Sequence, residues 1–294
     1  MKRVLVFGKT GQLAHCLAET MPDQTDAIFL DRQSADLSAL PDFDQILEEN
    51  APDLVILAAA YTAVEKAEDE PDVANQVNAV NPSRLGAACR RMGVPIVHFS
   101  TDYVFDGKLG RPLSEEDPVH PLGAYGQSKL AGEVGLLDSG AQAFVFRTSW
   151  VFSSYGHNFL KTMLSVASKT RDLRVVADTF GNPTSAHDLA EAVWRAATQI
   201  GKAPQGIYHL TGNCNPDEKV SWHSFAQRIF QAAAEKGLLR DVRCDPISAV
   251  EYPSKVDRPA DTRLECSKYQ GIFGYSMPHW TSGVDSVLAR VAAR

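Results

Sequence analysis

Short β-branched runs alternate with longer helical stretches through the first 150 residues of the chain. Five of these runs have the length and composition of buried strands, at 3–7, 27–30, 54–58, 95–99 and 143–146. The segments between them, such as 12–21 and 73–92, carry apolar residues at helical spacing. Strand–helix–strand repetition at this interval predicts an α/β fold with a doubly wound parallel sheet, which binds its ligands at the carboxyl ends of the strands.

Beyond residue 150 the alternation weakens. Helices are predicted at 187–199 and 222–235, with a strand at 206–210, and proline-containing loops separate them. This pattern predicts a smaller C-terminal α/β lobe for the substrate. We place the dinucleotide-binding domain at 1–150 plus 174–200, and the substrate lobe at 151–173 and 201–294.

Composition excludes several classes of partner. The chain has 294 residues and a net charge of −7, which gives it no electrostatic reason to approach a nucleic acid or an anionic membrane. The apolar run at 54–60 is far shorter than the roughly 20 residues that span a bilayer. The first apolar stretch is also too short for a signal peptide, so we expect a cytoplasmic protein. The five cysteines are scattered and the eight histidines show no zinc-binding spacing, so we expect reduced thiols and no metal.

A glycine pattern follows the first predicted strand directly and opens a helix. Its form is G-x-x-G-x-x-A, from Gly8 to Ala14. Glycines let the backbone turn sharply beside a pyrophosphate, whose charge then meets the helix N-terminus. At this place in a β–α repeat the pattern favours a Rossmann-like site for NADPH or NADH over an ordinary tight turn. The predicted cofactor-binding residues of this loop are Gly8, Thr10, Gly11, Gln12 and Leu13.

The residues after the second and third strands extend the predicted cofactor site. Asp31 can accept hydrogen bonds from the adenosine ribose, which favours NADH, whereas Lys9 and Arg32 could hold a 2′-phosphate, which favours NADPH. The sequence leaves both cofactors open. The pair Asp36 and Leu37 is typical of residues beside an adenine, and Ala60, Tyr61 and Thr62 are placed near the middle of the cofactor.

One Y-x-x-x-K spacing occurs in the chain, between Tyr125 and Lys129. Positions i and i+4 share a helix face, so the ammonium can lie beside the phenol and lower its pKa. Such a phenol can give a proton to a carbonyl that receives a hydride. Thr101, at the end of the fourth strand, could bind the same carbonyl oxygen, although a hydroxyl in this position could equally satisfy a turn.

Taken in order, these motifs resemble the extended short-chain dehydrogenase/reductase superfamily. Longer strings look like one member family, the dTDP-4-dehydrorhamnose reductases. They are AAAYTAVEKAEDEP (58–71), STDYVFDG (100–107), YGQSKLAGE (125–133), RTSWVF (147–152), NFLKTML (158–164) and GNPT (181–184).

The resemblance implies reduction of the C4 ketone of dTDP-4-dehydro-L-rhamnose by hydride from NAD(P)H, the last step of dTDP-L-rhamnose synthesis. It implies that Tyr125 is the proton donor, Lys129 its partner and ribose ligand, and Thr101 the third catalytic residue. Thr101, Asp102 and Trp150 would contact the nucleotide sugar, although Trp150 alone would be read as a core aromatic. The implied cofactor residues are Gln12, Asp31, Asp36, Leu37, Ala60, Tyr61, Thr62, Phe99, Tyr125 and Lys129.

The chain departs from the resemblance at one place. Some relatives hold Mg²⁺ between two subunits through glutamates, and the matching positions here are Cys16 and His187. Neither residue offers the hard oxygen that Mg²⁺ prefers. We therefore expect no Mg²⁺, and a monomer or a weak homodimer.

Two other kinds of function use the same scaffold. Nucleotide-sugar 4,6-dehydratases resemble this chain but carry Asp-Glu after the strand-four threonine, where this chain has Asp102-Tyr103. A 4-epimerase should retain its cofactor through purification. A non-catalytic alternative is the regulatory β subunit of methionine adenosyltransferase, which would copurify with a synthetase and turn over no ketosugar. The sequence does not separate dTDP from other nucleotides.

Overall fold

A parallel six-stranded sheet lies at the centre of the computed structural model, which describes residues 3–293. Its strand order is β10-β5-β4-β3-β1-β2. The strands are β1 (Arg3–Phe7), β2 (Asp26–Leu30), β3 (Leu54–Leu57), β4 (Ile96–Thr101), β5 (Ala143–Thr148), β6 (Val151–Phe152), β7 (Asp172–Val176), β8 (Phe180–Gly181), β9 (Thr184–Ser185), β10 (Gly206–His209), β11 (Val220–Ser221) and β12 (Arg243–Ile247).

Helices cover both faces of this sheet. They are α1 (Gln12–Glu19), α2 (Phe43–Asn50), α3 (Val64–Asp69), α4 (Pro71–Asn75), α5 (Asn81–Met92), α6 (Ala124–Asp138), α7 (Phe159–Ala167), α8 (Ala186–Ala197), α9 (Trp222–Glu235), α10 (Ser267–Phe273) and α11 (Trp280–Ala292). A π-helical turn at Gln76–Val80 joins α4 to α5, and 3₁₀ turns lie at Asp102–Val104 and Ala249–Glu251.

Alternation along β1 explains the two faces. Val4 and Val6 pack with α1 and α8, whereas Leu5 and Phe7 pack on the opposite side with α2 and α5. Successive side chains of a strand point to opposite faces, so a strand that is apolar throughout is buried on both. The predicted doubly wound parallel sheet is therefore confirmed. The strand order reverses between β1 and β3, which places the ligand crevice beyond their carboxyl ends.

The second lobe has a separate apolar core, to which α7, α9 and α11 contribute. Strand β7 pairs in parallel with β12 at its edge. The predicted boundaries of the two lobes stay a prediction. Two segments, however, pair with strands of the other lobe than the one these boundaries give them. The strand β10, predicted within the substrate lobe, pairs with β5 in the central sheet, while 174–176 of β7 lies with the second lobe. Both placements depend on pairing between strands that are far apart in the sequence, and local composition does not indicate such pairing.

One segment of the C-terminal part returns to the sheet edge where β4 ends. Thr262 donates from its backbone N–H to the Phe180 oxygen at 2.9 Å, and the Leu113 N–H donates to the Arg263 oxygen at 2.7 Å. Arg258 bonds to Glu65 of α3 at 3.0 Å. These contacts bring residues 258–263 against the loop that follows β4. As for a bilayer, none of the helices within 3–293 has the length and apolar character that crossing it requires.

Candidate active site

The glycine loop has the geometry of a close approach to a bound phosphate. Gly8 has a φ of +102°, and a Cβ there would lie 2.8 Å from the Ala59 nitrogen, so only glycine fits. The N–H groups of Gly8 and Lys9 both donate to the Leu30 oxygen, at 2.9 and 3.0 Å, which fixes the turn. Gly11 is the N-cap of α1 and has no side chain, so the first N–H groups of α1 can face an anion. These residues fit a dinucleotide pyrophosphate.

The next residues of this loop differ in what they contact. Gln12 accepts hydrogen bonds from Ser153 Oγ and Asn158 Nδ2, both at 2.8 Å. The side chain of Gln12 therefore ties α1 to the segment after β5. Thr10 is exposed and Leu13 packs partly against the core under α8.

The two acidic residues after β2 are held by their own loop. Asp31 accepts from the Gln33 and Ser34 N–H groups at 3.0 and 3.1 Å, and hydrogen bonding to Ser34 lowers the pKa of its carboxyl. Asp36 accepts in the same way from Ser38, which lowers its pKa as well. Leu37, beside it, is buried. Arg32 is mostly exposed, and its Nε lies 3.8 Å from Asp36. Its guanidinium therefore lies at the surface, where other rotamers are open to it.

The loop after β3 is fixed by a residue that the motifs did not single out. Asn78, buried in the π-helical turn, accepts from the Tyr61 N–H and donates to the Tyr61 oxygen, both at 2.9 Å. Its amide also lies 3.0 Å from the Ser128 hydroxyl of α6. Ala60 and Thr62 on either side are exposed. An asparagine inside an apolar helical stretch was the available signal, because a buried amide must find partners.

Tyr125 lies in the first turn of α6, directly across from the end of β4. A Cβ at Gly126 would overlap the Tyr103 oxygen, so the glycine lets α6 approach the strand-four loop. Burial raises the pKa of Tyr125 well above its ordinary value, and the hydrogen bond with the Thr101 side chain lowers it in part. The structure thus brings Tyr125 and Thr101 together and keeps the phenol protonated at neutral pH.

Lys129 differs from the sequence expectation. Its Nζ donates to the Phe99 oxygen at 2.6 Å and lies 3.2 Å from His98 Nε2, so the ammonium contacts β4. Burial lowers the pKa of Lys129 to about 8, while Glu133 raises it. The predicted lowering of the Tyr125 pKa by this ammonium therefore stays a prediction, because the ammonium is held on β4. Spacing placed both residues on one helix face, but a strand carbonyl holds the long side chain.

The implied substrate residues are also engaged within the protein. Asp102 is only 2% exposed, and its two carboxylate oxygens accept from Thr101 and Thr262. Trp150 has a φ of +47° and stacks on Trp222 with ring centroids 3.6 Å apart. No motif of the sequence pairs Trp150 with another aromatic residue, so its stacking on Trp222 could not be predicted. Asp102 as a direct sugar ligand, and Trp150 against sugar or base, stay predictions.

The two positions matched to a magnesium site offer the wrong donors. Cys16 is 2% exposed, within the core beneath α8. His187 lies 2.7 Å from an Arg290 nitrogen, and Arg290 also bonds to Glu19 at 3.3 Å. A guanidinium already supplies positive charge to this cluster. Within 3–293 no group of three His, Cys, Asp or Glu side chains could hold a metal, and these residues do not fit Mg²⁺.

Removal of divalent metal should therefore change nothing. We expect EDTA treatment to leave both the activity and the solution mass the same, since Arg290 already places a positive charge beside His187. Steady-state assay and light scattering before and after chelation check this. Dissociation or loss of activity that Mg²⁺ restores would contradict it.

Comparison with known proteins identifies the family. The family model described as the RmlD substrate binding domain matches residues 1–293. The chain belongs to the dTDP-4-dehydrorhamnose reductase family. The dTDP-4-dehydrorhamnose reductase of Sinorhizobium fredii is 41% identical over 284 residues, which cover 95% of this chain and 94% of its own.

Solved structures of dTDP-4-dehydrorhamnose reductases share the fold. The enzyme of Clostridium acetobutylicum superposes with a TM-score of 0.90 at 32% identity, over 98% of this chain and 99% of its own. That of Bacillus anthracis, in complex with NADP, gives 0.89 at 30% identity over the same shares. The family resemblance drawn from the motifs is confirmed.

Proposed function

We propose that this chain reduces the C4 ketone of dTDP-4-dehydro-L-rhamnose to the alcohol, giving dTDP-L-rhamnose, with NAD(P)H as the reductant. One observation carries the proposal. Thr101, Tyr125 and Lys129 converge at the carboxyl end of β4, in the crevice that begins at the glycine loop. The relatives that carry the reductase name span nearly the whole chain, which supports the same assignment.

The proposed roles follow from the contacts. The glycine loop would hold the pyrophosphate of NAD(P)H, and the nicotinamide would supply the hydride. Tyr125 holds a phenolic proton that burial keeps in place, and it gives this proton to the oxygen that becomes the alcohol. Lys129 places a cation beneath the crevice, anchored on the Phe99 oxygen. Its charge stabilises the phenolate that remains after transfer.

The dehydratase alternative is disfavoured by the residue after Asp102. A second carboxylate is needed there to remove a proton beside a ketone, and the chain has Tyr103. Its phenol lies 3.4 Å from an Arg258 nitrogen and its ring packs edge-on against Tyr125. Burial raises the pKa of Tyr103 despite the guanidinium of Arg258, so this phenol stays protonated and does not replace a carboxylate base.

A single assay tests the proposal. Purified protein is given dTDP-4-dehydro-L-rhamnose with NADH and NADPH in separate reactions, and loss of absorbance at the nicotinamide band is followed with product analysis. Formation of dTDP-L-rhamnose in step with cofactor oxidation is expected. Turnover without added cofactor would favour an epimerase. Absence of turnover, together with copurification of a methionine adenosyltransferase, would favour the regulatory subunit.

Cofactor choice is expected to be weak. Asp31 repels a 2′-phosphate, whereas Lys9 and the exposed Arg32 can approach one. Charges near the surface are screened by salt, so we expect kcat/KM for NADH and NADPH to differ by about tenfold or less. Asp31→Asn should shift the ratio toward NADPH, and Arg32→Ala toward NADH. Steady-state kinetics with both cofactors measure this.

An exposed carboxylate on the loop before β2 provides the control. Asp23→Asn should leave the ratio of the two cofactors as it is in the wild type. A wild-type preference above about a hundredfold, or an Asp31→Asn ratio equal to that of the wild type, would show that this carboxylate does not face the ribose.

A further inference from the structure

The Asp102 carboxylate lies between two threonine hydroxyls that come from opposite parts of the chain. Thr101 Oγ1 donates to its Oδ1 at 3.1 Å, and Thr262 Oγ1 donates to its Oδ2 at 2.6 Å. Asp102 and Thr262 are each 2% exposed. The backbone N–H of Thr262 is fixed on the Phe180 oxygen, so the second threonine is delivered by the segment that crosses from the C-terminal part.

The number of hydrogens decides what Thr101 can do. A threonine hydroxyl has one hydrogen, and when Asp102 is ionised Thr101 donates that hydrogen in its bond to the carboxylate. The Tyr103 N–H already donates to Thr101 Oγ1 at 3.2 Å. The remaining lone pair of Thr101 can only accept, so with Asp102 ionised Thr101 has no hydrogen to donate to the phenol oxygen of Tyr125, the donation by which it lowers the pKa of that phenol. With Asp102 ionised, the hydroxyl hydrogen of Thr101 is therefore held on the carboxylate and points away from a ketone.

Protonation of Asp102 reverses this arrangement. A proton on Oδ1 is donated to Thr101 Oγ1, which then turns its own hydrogen toward the crevice. Thr262 selects which oxygen carries the acid proton, because its short hydrogen bond keeps Oδ2 as an acceptor and leaves Oδ1 for the proton.

We propose that Asp102 acts in its protonated form as a positioning residue that turns the Thr101 hydroxyl toward the ketone oxygen, and that Thr262 is a second positioning residue holding the acid proton on the Thr101 side. The inference rests on the proposed reductase function. It gives a role to a threonine that belongs to none of the sequence motifs.

The surroundings of Asp102 support a protonated form. Burial raises the pKa of its carboxyl to about 6, against hydrogen bonds from both threonines that lower it. The titratable groups on the elements packed around it are Tyr125 of α6, Tyr103 of the 3₁₀ turn and Arg258 behind that phenol. Beside Thr262, Asp261 and Arg263 form a buried bidentate pair at 2.8 Å, so their charges largely cancel.

The pH dependence of kcat tests the proposal. Since the protonated form is the working one, wild-type kcat should fall as pH rises through the pKa of Asp102. Thr262→Val removes a hydrogen bond that favours the ionised form, so this limb should move about one pH unit higher. Thr262→Ser keeps the hydroxyl and should follow the wild type. In Asp102→Asn the amide can donate to Thr101 at every pH, so the limb should disappear.

A readout without substrate separates this inference from the proposed function. Infrared difference spectra should show a protonated carboxyl band at pH 5 that is lost by neutral pH. The part of this band from Asp102 should persist higher in Thr262→Val and be missing in Asp102→Asn, whereas the part from Asp188, whose pKa burial also raises to about 6, should be the same in every variant. Circular dichroism shows which variants are folded, and Thr262→Ala, which also lacks the hydroxyl, tests the bond if the valine variant is not. Identical kcat profiles for wild type, Thr262→Val and Asp102→Asn, or no such band, would overturn the inference. A folded wild type that shows the band and reduces no ketosugar would overturn the proposed function instead.

Discussion

Tyr125→Phe is expected to lower kcat at least ~10²-fold while the enzyme still binds its cofactor. The phenol acts only on the proton, and phenylalanine keeps the ring that packs edge-on against Tyr103. Burial already holds the Tyr125 proton in place, so its removal leaves the crevice without its donor. Single-turnover reduction measures the loss, and quenching of protein fluorescence by the dinucleotide measures binding.

The neighbouring phenol provides a matched control. Tyr103→Phe removes a hydroxyl 3.4 Å from Arg258 and leaves the backbone N–H that donates to Thr101. We expect its kcat to stay within about tenfold of wild type, because this hydroxyl donates to no reacting atom in the proposed mechanism. A near wild-type rate for Tyr125→Phe, with Tyr103→Phe inactive, would reassign the proton donor to Tyr103.

The parallel sheet could be predicted because its signal is local and strong. Strands buried on both faces are apolar throughout, and helices of amphipathic spacing separate them. Their ends were less certain: 95–99 extends to Thr101 in the structure, which adds Ser100 and Thr101 to the ladder with β5. Thr101 therefore ends the strand, and its hydroxyl also accepts from the Tyr103 N–H of the following turn, the other role that the sequence allowed.

What the sequence could not supply was the partners of each polar side chain. The i, i+4 spacing of Tyr125 and Lys129 was correct, but the choice of the Phe99 oxygen as the acceptor for the ammonium depends on how α6 packs on β4. Asp102 was expected at the sugar, and Thr262, 160 residues later, occupies one of its oxygens. Long-range hydrogen bonds of this kind leave no periodicity along the chain.

The contacts of His98 could not be predicted from the sequence either. It reads as one residue of a buried strand, and burial lowers its pKa well below the ordinary value, so it stays neutral. A neutral imidazole can accept from the Lys129 ammonium at 3.2 Å, where a protonated one would repel it. The strand pattern located His98 correctly but gave no sign of this contact.

Buried Lys129 should make the stability of the protein depend on alkaline pH. Its pKa is lowered by burial from 10.5 to about 8. Between these values the unfolded chain binds the lysine proton more strongly, so unfolding becomes more costly as pH rises. Below pH 8 Lys129 is protonated in both the folded and the unfolded protein. The folded protein then bears the full free-energy cost of burying the charge. Relative to Lys129→Met, the wild-type free energy of unfolding should therefore rise by about 3 kcal/mol between pH 7.5 and 10.5.

Urea unfolding of both proteins at pH 7.5, 9 and 10.5 measures this difference. The comparison uses its change with pH, because Lys129→Met also leaves the Phe99 oxygen without its ammonium donor, a loss that shifts every point equally. Lys169→Met, at an exposed position after α7, should give a difference that does not vary with pH. A flat difference for Lys129→Met as well would mean that water reaches the ammonium. The cation would then be solvated, and its charge would do less to stabilise a phenolate at Tyr125 than the buried position implies.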